Sequence, residues 1–128
     1  MAYETIPEDI SEFILQHIDS IAELEGLLIF HLDPQKNWTA EALAGELYID
    51  KSQAETLLRR LVERGFITER TTTVTTYQYQ HVSENLTSTV TRVADIYRQF
   101  LVPITHLIHS KPKSKVQQFA DAFKIRKD

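Results

Sequence analysis

Along residues 51–64, Ser52, Glu55, Thr56, Arg59, Arg60 and Glu63 fall on one side of a helical repeat, opposite Ala54, Leu57, Leu58 and Leu61. A row of hydroxyls, carboxylates and guanidinium groups can do two things: hydrogen-bond the polar edges of a ligand and neutralise phosphate. Neither makes or breaks a covalent bond. The rest of the chain offers little that would. Three glycines in 128 residues leave no phosphate-cradling loop, and no nucleophile elbow or HExxH is present. Of the histidines His17, His31, His81, His106 and His109, only His106 and His109 stand at i, i+3 on one helix face, a spacing open to two metal ligands. A metal site needs three or four ligands, and Asp95 lies well upstream. No enzyme activity, cofactor or metal is therefore expected.

The elements that must hold that polar row follow from the neighbouring sequence. Thr39, after Trp38, is a usable N-cap for a helix over 39–48 with Ala40, Leu43, Ala44 and Leu47 at helical spacing. Asp50 caps the helix at 51–64, and Gln53 can reach back to the Asp50 amide as in a capping box. About three residues of turn between two helices is helix-turn-helix spacing. Gly65 serves as the left-handed stop, with Arg64 suited to the negative helix end. The period then shortens to that of strands over 66–80, from Phe66, Ile67 and Thr68 through a threonine-rich bend to Val74, Thr76, Tyr77 and Tyr79. Trp38 predicts one short extended segment pairing with this hairpin, with its ring in the core. The order is that of a winged helix-turn-helix. The fold class expected is mainly α with a small β-hairpin wing (α+β), extended by N- and C-terminal helices.

The stretches Trp38-Thr39-Ala40-Glu41-Ala42-Leu43-Ala44 and 57–67, Leu-Leu-Arg-Arg-Leu-Val-Glu-Arg-Gly-Phe-Ile, make the segment similar to the winged-helix domain of small bacterial regulators of the MarR-like and PadR-like kind. The resemblance covers about half of the chain. It implies a DNA-binding transcription regulator whose helix 51–64 enters the major groove of double-stranded DNA while the hairpin touches the flanking backbone. Carried over by position, Ser52, Gln53, Glu55 and Thr56 face bases, Arg59, Arg60 and Arg70 face phosphates, and Lys51 stands at the start of the same helix. It also implies room for a small-molecule effector between the head and the long helix that follows. The wing departs from the family pattern, since Arg70-Thr71-Thr72-Thr73-Val74-Thr75-Thr76 has no cation at its tip.

Charge is unevenly placed. Residues 1–50 carry eleven acids against Lys36 alone, giving −10, and residues 51–128 carry thirteen bases against seven acids, giving +6. In the field of a polyanion the basic half would turn inward although the total is −4. Locally, Lys51, Arg59, Arg60, Arg64 and Arg70 against Glu55, Glu63 and Glu69 leave only +2. The chain has no cysteine and no apolar run of membrane-spanning length, so a cytoplasmic protein with no membrane partner is expected.

Ahead of the helix-turn-helix, residues 7–18 predict a helix with Pro7 near its start and acids in the first turn. Residues 20–32 predict another, capped by Ser20, with Ile21, Leu24, Leu28 and Leu32 as its stripe, widened by Leu27 and Phe30. Residues 1–82 would thus form the DNA-binding domain, and 83–128 a dimerisation region. There, Ser83 caps a helix with Leu86, Val90, Val93, Tyr97, Phe100, Ile104 and Leu107 at alternating intervals of four and three, a seam suited to packing along a second helix. Pro103 kinks or restarts that helix. The seam predicts a homodimer; the alternative is that it folds back on helix 7–18. Between basic clusters at Lys111 to Lys115 and Lys124 to Lys127, Val116, Phe119, Ala120 and Phe123 predict a short amphipathic helix. Its two phenylalanines would complete the dimer; otherwise it adds a phosphate-binding patch or docks on an acidic surface.

Two functions follow. One is a dimeric DNA-binding regulator, favoured by the helix-turn-helix order. The other is a winged helix used for protein–protein interaction without sequence-specific DNA binding, favoured by the neutral wing tip, the negative net charge and the outward Glu55 and Glu63.

Overall fold

A computed structural model describes residues 6–80 and 83–110. The elements run α1 (Glu8–His17), α2 (Ile21–Leu32), α3 (Ala40–Leu47), α4 (Lys51–Glu63), β1 (Ile67–Thr71), β2 (Thr75–Tyr79), α5 (Glu84–Ile96) and α6 (Leu101–Ser110). Short polar side chains set the helix starts. Ser20, Thr39 and Ser83 accept the third backbone N–H of α2, α3 and α5, and Gln53 Oε1 accepts the Asp50 N–H at 2.9 Å. Gly65, at φ 83°, stops α4 and turns the chain into β1.

The hairpin pairs antiparallel from Ile67 opposite Tyr79 to Thr71 opposite Thr75. Trp38 adds an isolated bridge to it, exchanging both backbone bonds with Tyr77 at 2.7 and 2.8 Å. Its ring is buried edge-on to Phe30 of α2, and Lys36 Nζ stands 3.9 Å over it. The wing is thereby fastened to α2.

One apolar cluster joins Ile10, Phe13, Ile14 and Ile18 to Leu24, Leu27 and Phe30, to Leu57, Leu58, Leu61 and Phe66, and to Val90, Val93, Ile104 and Ile108. Two sequence expectations change in consequence. The buried face of α2 is Glu23, Leu24, Gly26, Leu27 and Phe30, whereas Leu32, expected in the stripe, is 84% exposed. The sequence stripe was centred one position away because Glu23 and Gly26 carry no apolar signal. The heptad seam is the second. Val90, Val93 and Ile104 are buried inside a single chain, where α5 and α6 lie against α1 and α5 also against α2, so the fold-back alternative describes these residues. A seam three to four residues apart reports a helical neighbour without saying whether that neighbour belongs to the same chain. The helix restarts, as expected from Pro103: α5 and α6 are separate. Pro103 has no N–H to return to residue 99, and the α5 pattern gives way to turns over 97–100 before α6 begins. Phe119 and Phe123 lie outside the described residues.

Two local choices at the end of α3 oppose intrinsic preference. Gly45 is helical with nothing within 4 Å of an added Cβ, where alanine would be favoured by about 1 kcal/mol. Tyr48, at φ 57° and ψ 46°, is the only non-glycine residue with positive φ among those described, a conformation that disfavours a side chain by about 1 kcal/mol or more.

Gly26 sets the approach of α2 to α4. A Cβ there would stand 2.8 Å from Leu57 Cδ2. Gly26→Ala should be near neutral, since the leucine tip can move and the helix gains propensity. Gly26→Val should destabilise by about 1–3 kcal/mol in urea unfolding through overpacking.

Candidate nucleic-acid interface

The helix-turn-helix presents α4 with Ala54, Leu57, Leu58 and Leu61 buried against the core. Lys51, Ser52, Gln53, Glu55, Thr56, Arg59 and Arg60 are all exposed on it, and Arg70 is exposed on β1 opposite Thr76. The structure thus brings seven of the eight candidates onto one helix and places the eighth on the adjoining hairpin.

Several of these groups are already engaged. Lys51 Nζ lies 3.1 Å from a carboxylate oxygen of Glu41 on α3. Thr56 Oγ1 donates to the Ser52 carbonyl at 3.1 Å, leaving its lone pairs outward. Gln53 uses its carbonyl oxygen on the Asp50 amide, so only its NH2 is available to a ligand. A base-edge acceptor such as a purine N7 suits that group. Among the described residues, Arg59 and Arg70 have no ion-pair partner, and they are the two unengaged cations of the surface.

Arg60 and Arg64 instead turn toward α2. Arg64 donates to Glu23 Oε1 and to Asp19 Oδ2, both at 2.5 Å, and Arg60 donates to Asp19 Oδ2 at 3.1 Å and stands 3.8 Å from Glu23. Glu23 is only 1% exposed, and burial pushes its carboxyl above the ordinary glutamate range even though Arg64 opposes the shift. This cluster was not foreseen from the sequence. Its signal is nonetheless there: Glu23 stands at i, i+4, i+7 with Leu27 and Phe30, and a carboxylate aligned with a core stripe requires a cation. A cleft of about 310 Å³ opens beside the cluster, walled by Glu23, Ile49, Gln53, Thr56 and Arg60. It lies between α2 and α4, away from the position expected for an effector.

At the wing tip, Thr71 and Thr75 share a hydroxyl contact at 3.1 Å and Thr72 Oγ1 donates to the Val74 carbonyl. Val74 is exposed there. The tip can make van der Waals and hydroxyl contacts but supplies no charge. Among the described residues no three histidine, aspartate or glutamate side chains gather as a metal site would require, and no helix is long and apolar enough to cross a membrane.

No protein-family model and no curated protein matches the chain. Solved structures do resemble it. MepR, a transcription regulator of the Staphylococcus aureus multidrug efflux pump MepA, superposes with a TM-score of 0.56 at 16% identity, over 94% of this chain and 84% of that one. A MepR variant bound to an oligodeoxyribonucleotide gives 0.56 at 15% identity, over 94% and 84%. The transcriptional regulator Tm0710 from Thermotoga maritima gives 0.53 at 15% identity, over 92% and 80%. The chain therefore shares the winged-helix fold of these structures.

The buried carboxyl of Glu23 carries a pH signature. Its folded pKa is raised, so the folded state binds the proton more tightly than the unfolded chain. Stability from this group is present below about pH 4.5 and is lost as pH rises through the folded value. Glu23→Gln, a neutral near-isostere, should therefore gain thermal stability relative to the natural chain as pH is raised from 4 to 7. A constant difference between the two melting curves would contradict that linkage.

Proposed function

We propose that the chain is a DNA-binding transcription regulator that reads the major groove with α4 and touches the flanking backbone with its wing. The observation that carries this reading is the exposed polar face of α4, from Ser52 to Arg59, held beside a hairpin in a fold shared with a MepR variant bound to an oligodeoxyribonucleotide. Gln53 and Thr56 are the base-contacting residues, with Ser52 and Glu55 beside them, and Arg59 and Arg70 are the principal phosphate contacts. Lys51 and Arg60 join them when phosphate replaces Glu41 and Asp19.

The active form in this reading is a homodimer, whose two-fold axis matches half-sites about one helical turn apart. With Val90, Val93 and Ile104 buried in each chain, the surface left for a second copy is Leu101 and Val102 of α6 together with the half-buried Leu86, Tyr97, Phe100 and Leu107. A small-molecule effector belongs to the same reading. A second function, docking of another protein, is favoured by the pairing of Lys51, Arg60 and Arg64 with acids of the same chain, which lowers the charge offered to phosphate.

Fluorescence anisotropy against a duplex from upstream of its own gene and a scrambled duplex, across a salt series, tests the proposal. Salt-sensitive preference for the first supports a regulator, and no binding at low salt sinks it in favour of the protein-docking reading. Arg59→Ala should weaken binding to every duplex and lower the salt slope by about one, whereas Thr56→Ala should mainly alter sequence preference. Arg60→Ala should affect binding less than Arg59→Ala and stability more, because Asp19 already holds that guanidinium. Val102→Glu should give folded monomers in light scattering; a persistent dimer would place the interface elsewhere.

A further inference from the structure

The cleft beside Glu23 has the composition of a binding site. Its apolar walls are Ala22 of α2, Ile49 of the turn and the buried Leu57 of α4. Around them stand polar groups whose hydrogen-bonding capacity the fold uses only in part. Glu23 Oε1 accepts both Arg64 and the Asp19 N–H. Its second oxygen accepts no hydrogen bond among the described residues and has Arg60 Nη1 at 3.8 Å. Arg60 spends Nη1 on Asp19 and keeps its other N–H groups, Gln53 keeps its NH2, and Thr56 keeps its oxygen lone pairs. A carboxylate oxygen removed from water and left without a donor is costly, and burial outweighs Arg64 in raising the Glu23 carboxyl.

Charge decides what fits. The walls carry one charge of each sign, Glu23 and Arg60, and the groups that hold them, Asp19 and Arg64, add one more of each. Asp50, beside Ile49, caps the positive end of α4. A ligand carboxylate would face Glu23, and a ligand cation would face Arg60. An uncharged amide edge suits both, its carbonyl accepting from Arg60 and its N–H donating to Glu23 Oε2. The volume, about 310 Å³, is small for a ligand pocket and holds one ring with its amide. We propose that this cleft binds a small uncharged carboxamide or lactam carrying one apolar ring, and that its occupancy withdraws Gln53 and Thr56 from DNA. Both residues wall the cleft and belong to the row assigned to bases. The effector would then act on the reading surface itself. That consequence rests on the DNA-binding reading, whereas the binding of the ligand does not.

Three probes that share a ring and differ in charge test the site: benzamide, benzoate and benzamidine. Each is titrated by NMR at neutral pH into the natural chain, Glu23→Gln and Ala22→Leu, with every variant melted in parallel. Benzamide should shift the backbone amides of Ala22, Gln53 and Leu57 saturably and bind the natural chain at least about fivefold more tightly than either charged probe. In Glu23→Gln the charge balance turns positive, so benzoate should overtake benzamide. Ala22→Leu, which fills the cleft from a half-buried position, should weaken benzamide at least about tenfold. A charged probe binding the natural chain as tightly as benzamide, or a folded Ala22→Leu that retains benzamide, overturns the assignment. Should Ala22→Leu fail to fold, Glu23→Gln decides alone, and an unchanged order of the three probes refutes the amide contact. Saturating benzamide should also weaken duplex binding by the natural chain at least about fivefold, and an unchanged duplex affinity overturns the antagonism. If the natural chain binds no duplex, the DNA reading falls while the probe titrations still decide the cleft.

Discussion

The buried carboxylate of Glu23 dictates how α4 sits. A charge that is 1% exposed can be tolerated only with partners at close range; the Asp19 N–H donates to it at 3.3 Å, and its two cations come from the end of α4, Arg64 at 2.5 Å and Arg60 at 3.8 Å. Since those residues are four apart on one side of α4, satisfying Glu23 and Asp19 fixes the rotation of the helix about its axis. Gly26 then allows Leu57 to close against α2 just beyond the ion pairs. Apolar packing alone would permit a sliding contact along the Leu57, Leu58 and Leu61 stripe. The charge cluster selects one register, and the outward presentation of Ser52, Gln53, Glu55, Thr56 and Arg59 is its consequence.

That constraint also sets the electrostatic strength of the surface. Counting charges along residues 51–70 gives +2, yet two of the five cations hold α2 and a third pairs with Glu41. The exposed pairs are weak and exchangeable, because water screens Lys51 and Glu41 almost as well apart as together. Arg64 is different, being tied to a buried acid, and it stays with the protein. Few cations of this surface are therefore left free of acids of the same chain, which makes it weakly electropositive for its number of basic residues.

Much of this architecture is legible in the sequence because its signals are local. Thr39, Asp50 with Gln53, Ser83 and Gly65 mark ends through hydrogen bonds spanning three or four residues, and each sits where the structure starts or stops an element. Trp38 pairing with the wing was likewise readable from an isolated aromatic between two breaks. What was not legible depends on distant partners. The sequence places Arg60 and Arg64 near the end of a helix, but nothing in their spacing says that Asp19 and Glu23, more than forty residues away, will face them. The seam from Leu86 to Leu107 is real as a periodic pattern, and its partner helix, α1, was equally amphipathic and equally available.

The same helix that seats α4 also meets the other parts of the fold. From α2, Glu23 reaches α4, Glu25 accepts the Tyr97 hydroxyl at 2.9 Å at the end of α5, Phe30 meets Trp38, and His31 lies edge-on to Tyr79 of the wing. Burial and the adjacent Glu25 carboxylate raise the Tyr97 pKa, which keeps its proton and hence this bond through the physiological range. Four separate attachments on twelve residues leave α2 little freedom to move without disturbing its neighbours. α2 thus links α5 to α4 through the Glu23 ion pairs, while Phe13 and His17 of α1 meet the end of α4 directly through Phe66. The apolar contacts of α2 are degenerate over small translations, whereas its charged contacts are not, so the ion pairs would register a shift of α2 first.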